Sequence, residues 1–449
     1  MTLAALLTGS LAVAVLVAFG LLVTRWLPQP GWALGWPARL ALGHLVGCGA
    51  MAWLTTAFAV TAGRLTVVPF YASLAILAAI TWQMRGRLPE RTAREGSIET
   101  ARSLWQWLAM GGVVLGIVAT GWALVAGRGI SIDAHWNWAL KAKAFYLGGS
   151  LNPIATGCCT HPNYPILIPM QSWWVYQHLH HVDDWWPQAV GFIFYLDLIA
   201  LTFAICRANM AAVWAWIVTA VVANDVTQVL NASRGQADSA ISAYVLASSF
   251  FLAAYLAGRG RGSKVMTLLL LAGILQTKNE GIAWATFAMV VVVVFELRRG
   301  LVVEAASTVG WLLAAAAPWT AFKLAHRLAT GPEEVLASIH TMRLEVILRV
   351  KTIVITHLAN FGPYSLPFFV ILCAPLIWYG WSRVSKPVLA LLAAQFASYL
   401  VIYFIVADQI HQLSFMLRAI SQLSPTLLCI SMIAWQAYKS DPAEQATAE

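Results

Sequence analysis

The chain has 449 residues, of which 60% are hydrophobic and only 10% charged, with a mean hydropathy of +0.72. Soluble proteins carry about 25% charged residues, so a water-soluble globular domain is excluded and an all-α polytopic membrane protein remains. The net charge of +9 does not point to nucleic acid, because the basic residues fall in short loops and no basic helix with interleaved aromatics occurs.

Apolar runs of roughly membrane-spanning length read as transmembrane helices. In chain order they fall at 3–24, 40–61, 66–83, 104–126, 188–206, 209–224, 239–257, 265–278, 282–296, 302–322, 357–380, 387–406 and 421–437. That is about 13 spans, with soft ends. The first lacks a charged leader and a cleavage site, so it reads as a retained span rather than a signal peptide. Loops 85–102, 258–264, 296–300 and 382–386 are basic, and positive-inside bias places them in the cytoplasm. The N-terminus is then outside, and the tail 441–449 is cytoplasmic.

The opposite side carries long segments at 127–188, 223–238, 323–356 and 407–422. Connections this long tend to be functional. The first is rich in Pro, His and Trp and suits a structured stretch on the membrane surface, since Trp favours the headgroup layer. The third contains "PEEVLASIHTMRLEVILRVK", whose apolar spacing predicts an interfacial amphipathic helix. Of the six cysteines, Cys48, Cys206, Cys373 and Cys429 sit in or at the ends of apolar runs and read as small core residues. Cys158 and Cys159 are adjacent in a polar loop, where a vicinal disulfide and two free thiols both remain open.

The stretch "SIDAHWNWALKAKAF" (131–145) follows the fourth apolar run. As one helix it would put Asp133, Asn137 and Ala144 on one face, with Lys141 and Lys143 roughly 80° to either side. Trp138, Ala142, Phe145 and Tyr146 would occupy the opposite arc. An ordinary interfacial helix with snorkelling lysines would look the same. Further polar groups share that side of the membrane: His161 and Tyr164; Asn231, Arg234 and Asp238; Lys278, Asn279 and Glu280; and Asp408, His411, Ser414 and Arg418. Each has a plain reading, such as an anchor, a helix cap or a local ion pair. His178, His180 and His181 with Asp183 and Asp184 read as surface residues rather than metal ligands. Ionisable groups from four segments, all at membrane depth on one side, are harder to treat as incidental. Cations there would hold phosphate, and a carboxylate could deprotonate an acceptor hydroxyl.

The ordered motifs "DAHWNWALKAKAFYLGG", "HPNYPILIP", "SRGQADSAISAY", "TKNEG" and "HQLSFMLR" resemble bacterial multi-pass glycosyltransferases of the GT-C superfamily. Within it they look like the rhizobial lipopolysaccharide-core sugar transferases and the protein mannosyltransferases. The resemblance runs from about Ile130 to Arg418, making 104–440 a GT-C-like core and 1–103 helices of unassigned role. It implies a GT-C-type bundle with interfacial helices in its extracytoplasmic loops, in a bacterial inner membrane. It also implies a polyprenyl-phosphate sugar donor and an envelope lipid or glycan acceptor on the periplasmic face. Asp133 matches the family's general base. Arg234, Lys278, His411 and Arg418 would hold the donor phosphate, with Lys141 and Lys143 assisting. Asn137, His161 and Tyr164 would line the substrate site, and Asp238 and Glu280 would orient the cations or bind sugar hydroxyls. Many relatives carry a second acid beside the first, whereas this chain has Ala134 and His135, so no bridging metal is predicted. A polymerase or ligase of lipid-linked glycans, or a flippase with broken midplane helices and pseudo-symmetric halves, are the rival readings.

Overall fold

The computed structural model describes residues 2–27, 35–84, 103–126, 129–328, 388, 390–395 and 421–433. Among these residues every regular element is helical. In chain order they are α1 (Leu3–Arg25), α2 (Trp36–Ala62), α3 (Val68–Gln83), α4 (Leu104–Val125), α5 (Ile132–Ala134), a π turn (His135–Ala139), α6 (Leu140–Gly148), α7 (Asn152–Ala155), α8 (Leu167–Leu179) and α9 (Trp186–Asn209). There follow α10 (Ala212–Ala223), α11 (Val226–Ser233), α12 (Asp238–Leu256), α13 (Arg261–Leu275), α14 (Asn279–Arg298), α15 (Val302–Ala325) and α16 (Ser421–Ile433).

Seven of these helices are long and apolar enough to cross a membrane: α1, α2, α4, α9, α12, α14 and α15. An eighth span arises if α10 and α11 are one helix bent by 57°. The chain is therefore a multi-pass membrane protein, with seven or eight candidate spans among the described residues. The sequence expectations at 357–380 and most of 387–406, and the amphipathic segment within 323–356, lie outside the described residues.

Small residues let the first two helices touch backbone to backbone. A Cβ on Gly20 would stand 1.9 Å from the Gly43 carbonyl oxygen, and one on Gly47 would stand 1.9 Å from that of Leu16. Apolar lipid tails give helices no hydrophobic reason to associate, so close packing of this kind supplies the attraction. Gly49 meets Gly273 in the same way, bringing α13 against the middle of α2.

Two elements break inside the bundle. The α10–α11 bend falls at Asn224–Asp225, and Asn224 Nδ2 donates to the Gly112 carbonyl at 2.9 Å. Gly112 lies near the middle of α4, about 20 Å of helix from its end at Val125. The α13–α14 hairpin turns at Gln276–Lys278, where Gln276 Nε2 donates to the carbonyl of Gly49 at 3.3 Å. Asp225 caps α11 by accepting from Thr227 N at 3.3 Å. Irregular backbone at such depth is tolerated only when neighbours take up its polar groups.

The long segment after α4 does not simply lie on the surface. Residues 167–176 of α8 are all buried, packed among α1, α2, α6 and α9. Most of its side chains are apolar, and the polar Gln171 finds a partner in His44 at 2.7 Å. Trp174 Nε1 donates to the Ala12 carbonyl at 2.9 Å, and Leu167 N to that of Gln276 at 2.7 Å. Trp173, Trp174 and Trp186 thus serve as core packing rather than headgroup anchors.

Gly47→Leu should force α1 and α2 apart and cost about 1–3 kcal/mol or more, read as a lower unfolding midpoint in detergent. Gly111→Leu, where a Cβ meets nothing within 4 Å, should leave that midpoint unchanged.

Candidate active site

Ser131 caps α5 by accepting from Ala134 N at 3.1 Å, which sets Asp133 in the first turn. The π turn then inserts an extra residue between Asp133 and the lysines. Asn137 stays beside the acid, its Nδ2 donating to Asp133 Oδ1 at 2.6 Å. Downstream, the helix phase differs from the single-helix expectation. Lys141 does not flank Asp133 but points inward, fully buried, and donates to the His161 carbonyl at 2.5 Å. Its ammonium lies 5.7 Å from the ring centres of both Trp138 and Tyr164. His161 stacks on Tyr164 at 4.7 Å, and Tyr164 on Trp138 at 5.7 Å. Lys143 points elsewhere and pairs with Asp184 at 2.6 Å.

A second layer joins this one through the turn after α11. Ser131 N donates to the Arg234 carbonyl at 3.2 Å, and Gln236 Nε2 donates to Ser131 Oγ at 3.2 Å. Arg234 itself is exposed. In this turn Asn231 Nδ2 and Gln236 Oε1 are buried without a hydrogen-bond partner among the described residues. The same holds for both side-chain polar atoms of Asn163, two residues beyond His161. Buried polar atoms are ordinarily satisfied, so these are available to a polar ligand.

Asp238, two residues after Gln236, opens α12 and is wholly buried. Its Oδ1 accepts from Gln422 Nε2 at 2.6 Å and lies 3.3 Å from Lys278 Nζ. Lys278 also lies 3.1 Å from Glu280 Oε1. Two carboxylates therefore flank the one amine, which weakens its attraction for a further anion. His411 and Arg418, with Asp408 and Ser414, lie outside the described residues.

Sequence reasoning passed over a third group. His44 Nδ1 of α2 meets Asp197 Oδ2 of α9 at 2.5 Å, and Gln171 Nε2 of α8 lies 2.7 Å from His44 Nε2. The signal was available, because "ALGHLVG" and "FYLDLIA" each place one ionisable residue inside an apolar run. Thr160 was also missed: its Oγ1 donates to Asn137 Oδ1 at 2.8 Å. No sequence spacing announces that contact. The vicinal pair Cys158–Cys159 is joined as a disulfide. Among the described residues no three His, Cys, Asp or Glu side chains converge as metal ligands.

No family model matches the chain, and no curated protein matches it. Among solved structures, ArnT from Cupriavidus metallidurans bound to undecaprenyl phosphate overlaps 72% of this chain at 16% identity, with a TM-score of 0.47. This chain spans 60% of that protein's length, and a likeness so faint carries no functional argument.

Burial lowers Lys141 from the usual lysine range to about 7. An unfolded lysine titrates near 10.4, so between about pH 7 and 10 the unfolded chain binds the additional proton. Stability should therefore rise with pH across that window, with the cost of the buried charge fully present below about pH 7. Thermal unfolding midpoints should show this rise, and Lys141→Met should flatten it. Lys278→Met should remove the cation between Asp238 and Glu280 and cost about 3–5 kcal/mol, measured as a loss of folded protein on heating.

Proposed function

We propose that this chain is a GT-C-type glycosyltransferase. It moves a sugar from a polyprenyl-phosphate donor to a hydroxyl of an envelope lipid or glycan, on the extracytoplasmic side of a bacterial inner membrane. The observation that carries this reading is the Asp133 carboxylate, held by Asn137 beside a turn whose buried Asn231 and Gln236 offer polar atoms without protein partners among the described residues. Amide donors and acceptors next to a carboxylate suit a polyol whose hydroxyl is to be activated.

In this mechanism Asp133 takes the proton of the acceptor hydroxyl as its oxygen attacks the anomeric carbon. The bond from that carbon to the lipid phosphate oxygen breaks, and the configuration inverts. Charge grows on the departing phosphate, where a cation stabilises it. Arg234 is the better described candidate, since it is exposed beside the Asp133 layer while Lys278 is flanked by two acids. Asn231, Gln236 and Asn163 would bind sugar hydroxyls. The concentration of Arg25, Arg207, Arg259, Arg261, Arg298 and Arg299 at the other ends of α1, α9, α12, α13 and α14 supports the side assignment.

The α10–α11 break at the middle of α4 favours a second reading, movement of a lipid-linked sugar across the membrane, since transporters build sites on interrupted helices. The two separate cleanly. Asp133→Asn should lower sugar transfer from labelled polyprenyl-phosphate sugars to envelope acceptors by about 10²–10⁴-fold while donor binding persists. Turnover at the wild-type rate would remove Asp133 as the base. Labelled lipid crossing a vesicle without a glycosylated product would favour the transporter.

A further inference from the structure

Asp133 is held at one remove. Asn137 reaches it with Nδ2, and the other end of the same amide accepts from Thr160 Oγ1. Thr160 thereby determines which way the amide faces. With Oδ1 engaged by the threonine hydroxyl, Nδ2 points at the carboxylate; with the amide reversed, a carbonyl oxygen would confront the acid.

The backbone of Thr160 is pinned on both sides. Its neighbour His161 gives its carbonyl to buried Lys141. On the other side stands the Cys158–Cys159 disulfide, which ties two consecutive residues into a small ring, with Cys158 N donating to the Pro153 carbonyl at 3.1 Å. Both cysteines are half-buried and Thr160 is exposed, so a dithiol can reach the bond.

We propose that Thr160, clamped by the Cys158–Cys159 disulfide, is a positioning residue for Asp133, and that reduction of this disulfide loosens the acid. The inference rests on Asp133 as the reactive group. In the exchange, one thiolate of a dithiol attacks a cystine sulfur to give a mixed disulfide and expels the other cysteine as thiolate. The second thiol of the reagent closes on the first. Two electrons and two protons pass to the cysteines, and the dithiol leaves as a cyclic disulfide. Rotation about the 158–159 backbone is then released, and Thr160 loses its fixed reach to Asn137.

The test is hydrogen exchange of the peptide covering 132–140 in the purified full chain, before and after dithiothreitol, with freed thiols counted by alkylation and mass spectrometry. Losing one neutral hydrogen bond corresponds to about a three- to tenfold rise in exchange. That rise is expected on reduction of the wild type and in the Cys158→Ser, Cys159→Ser double variant without reductant. Thr160→Val should exchange fast from the start and ignore the reductant, whereas Thr160→Ser, which keeps the hydroxyl, should respond as the wild type does. Two alkylated thiols at positions 158 and 159 with unchanged exchange would overturn the proposal, as would Thr160→Val behaving like the wild type. Sugar transfer is followed in parallel and should fall by the same factor on reduction. If exchange responds while no form transfers sugar, the clamp stands and the glycosyltransferase reading fails.

Discussion

A carboxylate inside a membrane bundle must find its partner within the protein, and Asp197 of α9 finds it in His44 of α2. The contact joins the first half of α2 to the middle of α9, and through Gln171 it takes hold of α8. Gln171 meets His44 from within α8, so α8 lies inside the bundle instead of resting on the surface. The segment leading into α8 is the "HPNYP" stretch, so this contact indirectly fixes His161, Asn163 and Tyr164. The N-terminal helices thus help to build the scaffold of the site.

The same logic orders the rest of the polar material. At the basic end of the bundle, buried Glu296 takes Lys264 at 2.6 Å, Tyr255 at 2.7 Å and Thr308 at 3.0 Å, tying α12, α13, α14 and α15 together. At the other end, Lys278 lies between Asp238 and Glu280, and Gln422 donates to Asp238. Above it the Asp133 layer is linked by the turn 234–238 and contains buried polar atoms left for a ligand.

The lysines show how a small backbone irregularity redistributes chemistry. An uninterrupted helix would have placed Lys141 and Lys143 around Asp133 as a pair of cations. The π turn at His135–Ala139 keeps Asn137 on the acid and sends Lys141 under the His161–Tyr164–Trp138 stack. Lys143 ends on Asp184. Neither lysine therefore sits beside the acid; among the described residues the Asn137 amide reaches it, fixed in turn by the Thr160 hydroxyl, and Arg234 is the exposed cation of the neighbouring turn.

Composition and apolar run length determined that the chain is helical and crosses a membrane several times, because a bilayer demands about 20 apolar residues per span whatever the fold. The ends of α1, α4 and α12 were legible for the same reason. Only the tertiary structure decided which of those polar residues meet. Thr160 reaches Asn137 across 23 positions, Gln171 reaches His44 across 127, and Gln422 reaches Asp238 across 184. Such contacts depend on helix phase, breaks and packing distance, which a periodic pattern does not encode. The sequence marks Asp133 as a residue to explain, and the fold supplies the amide and hydroxyl that hold it.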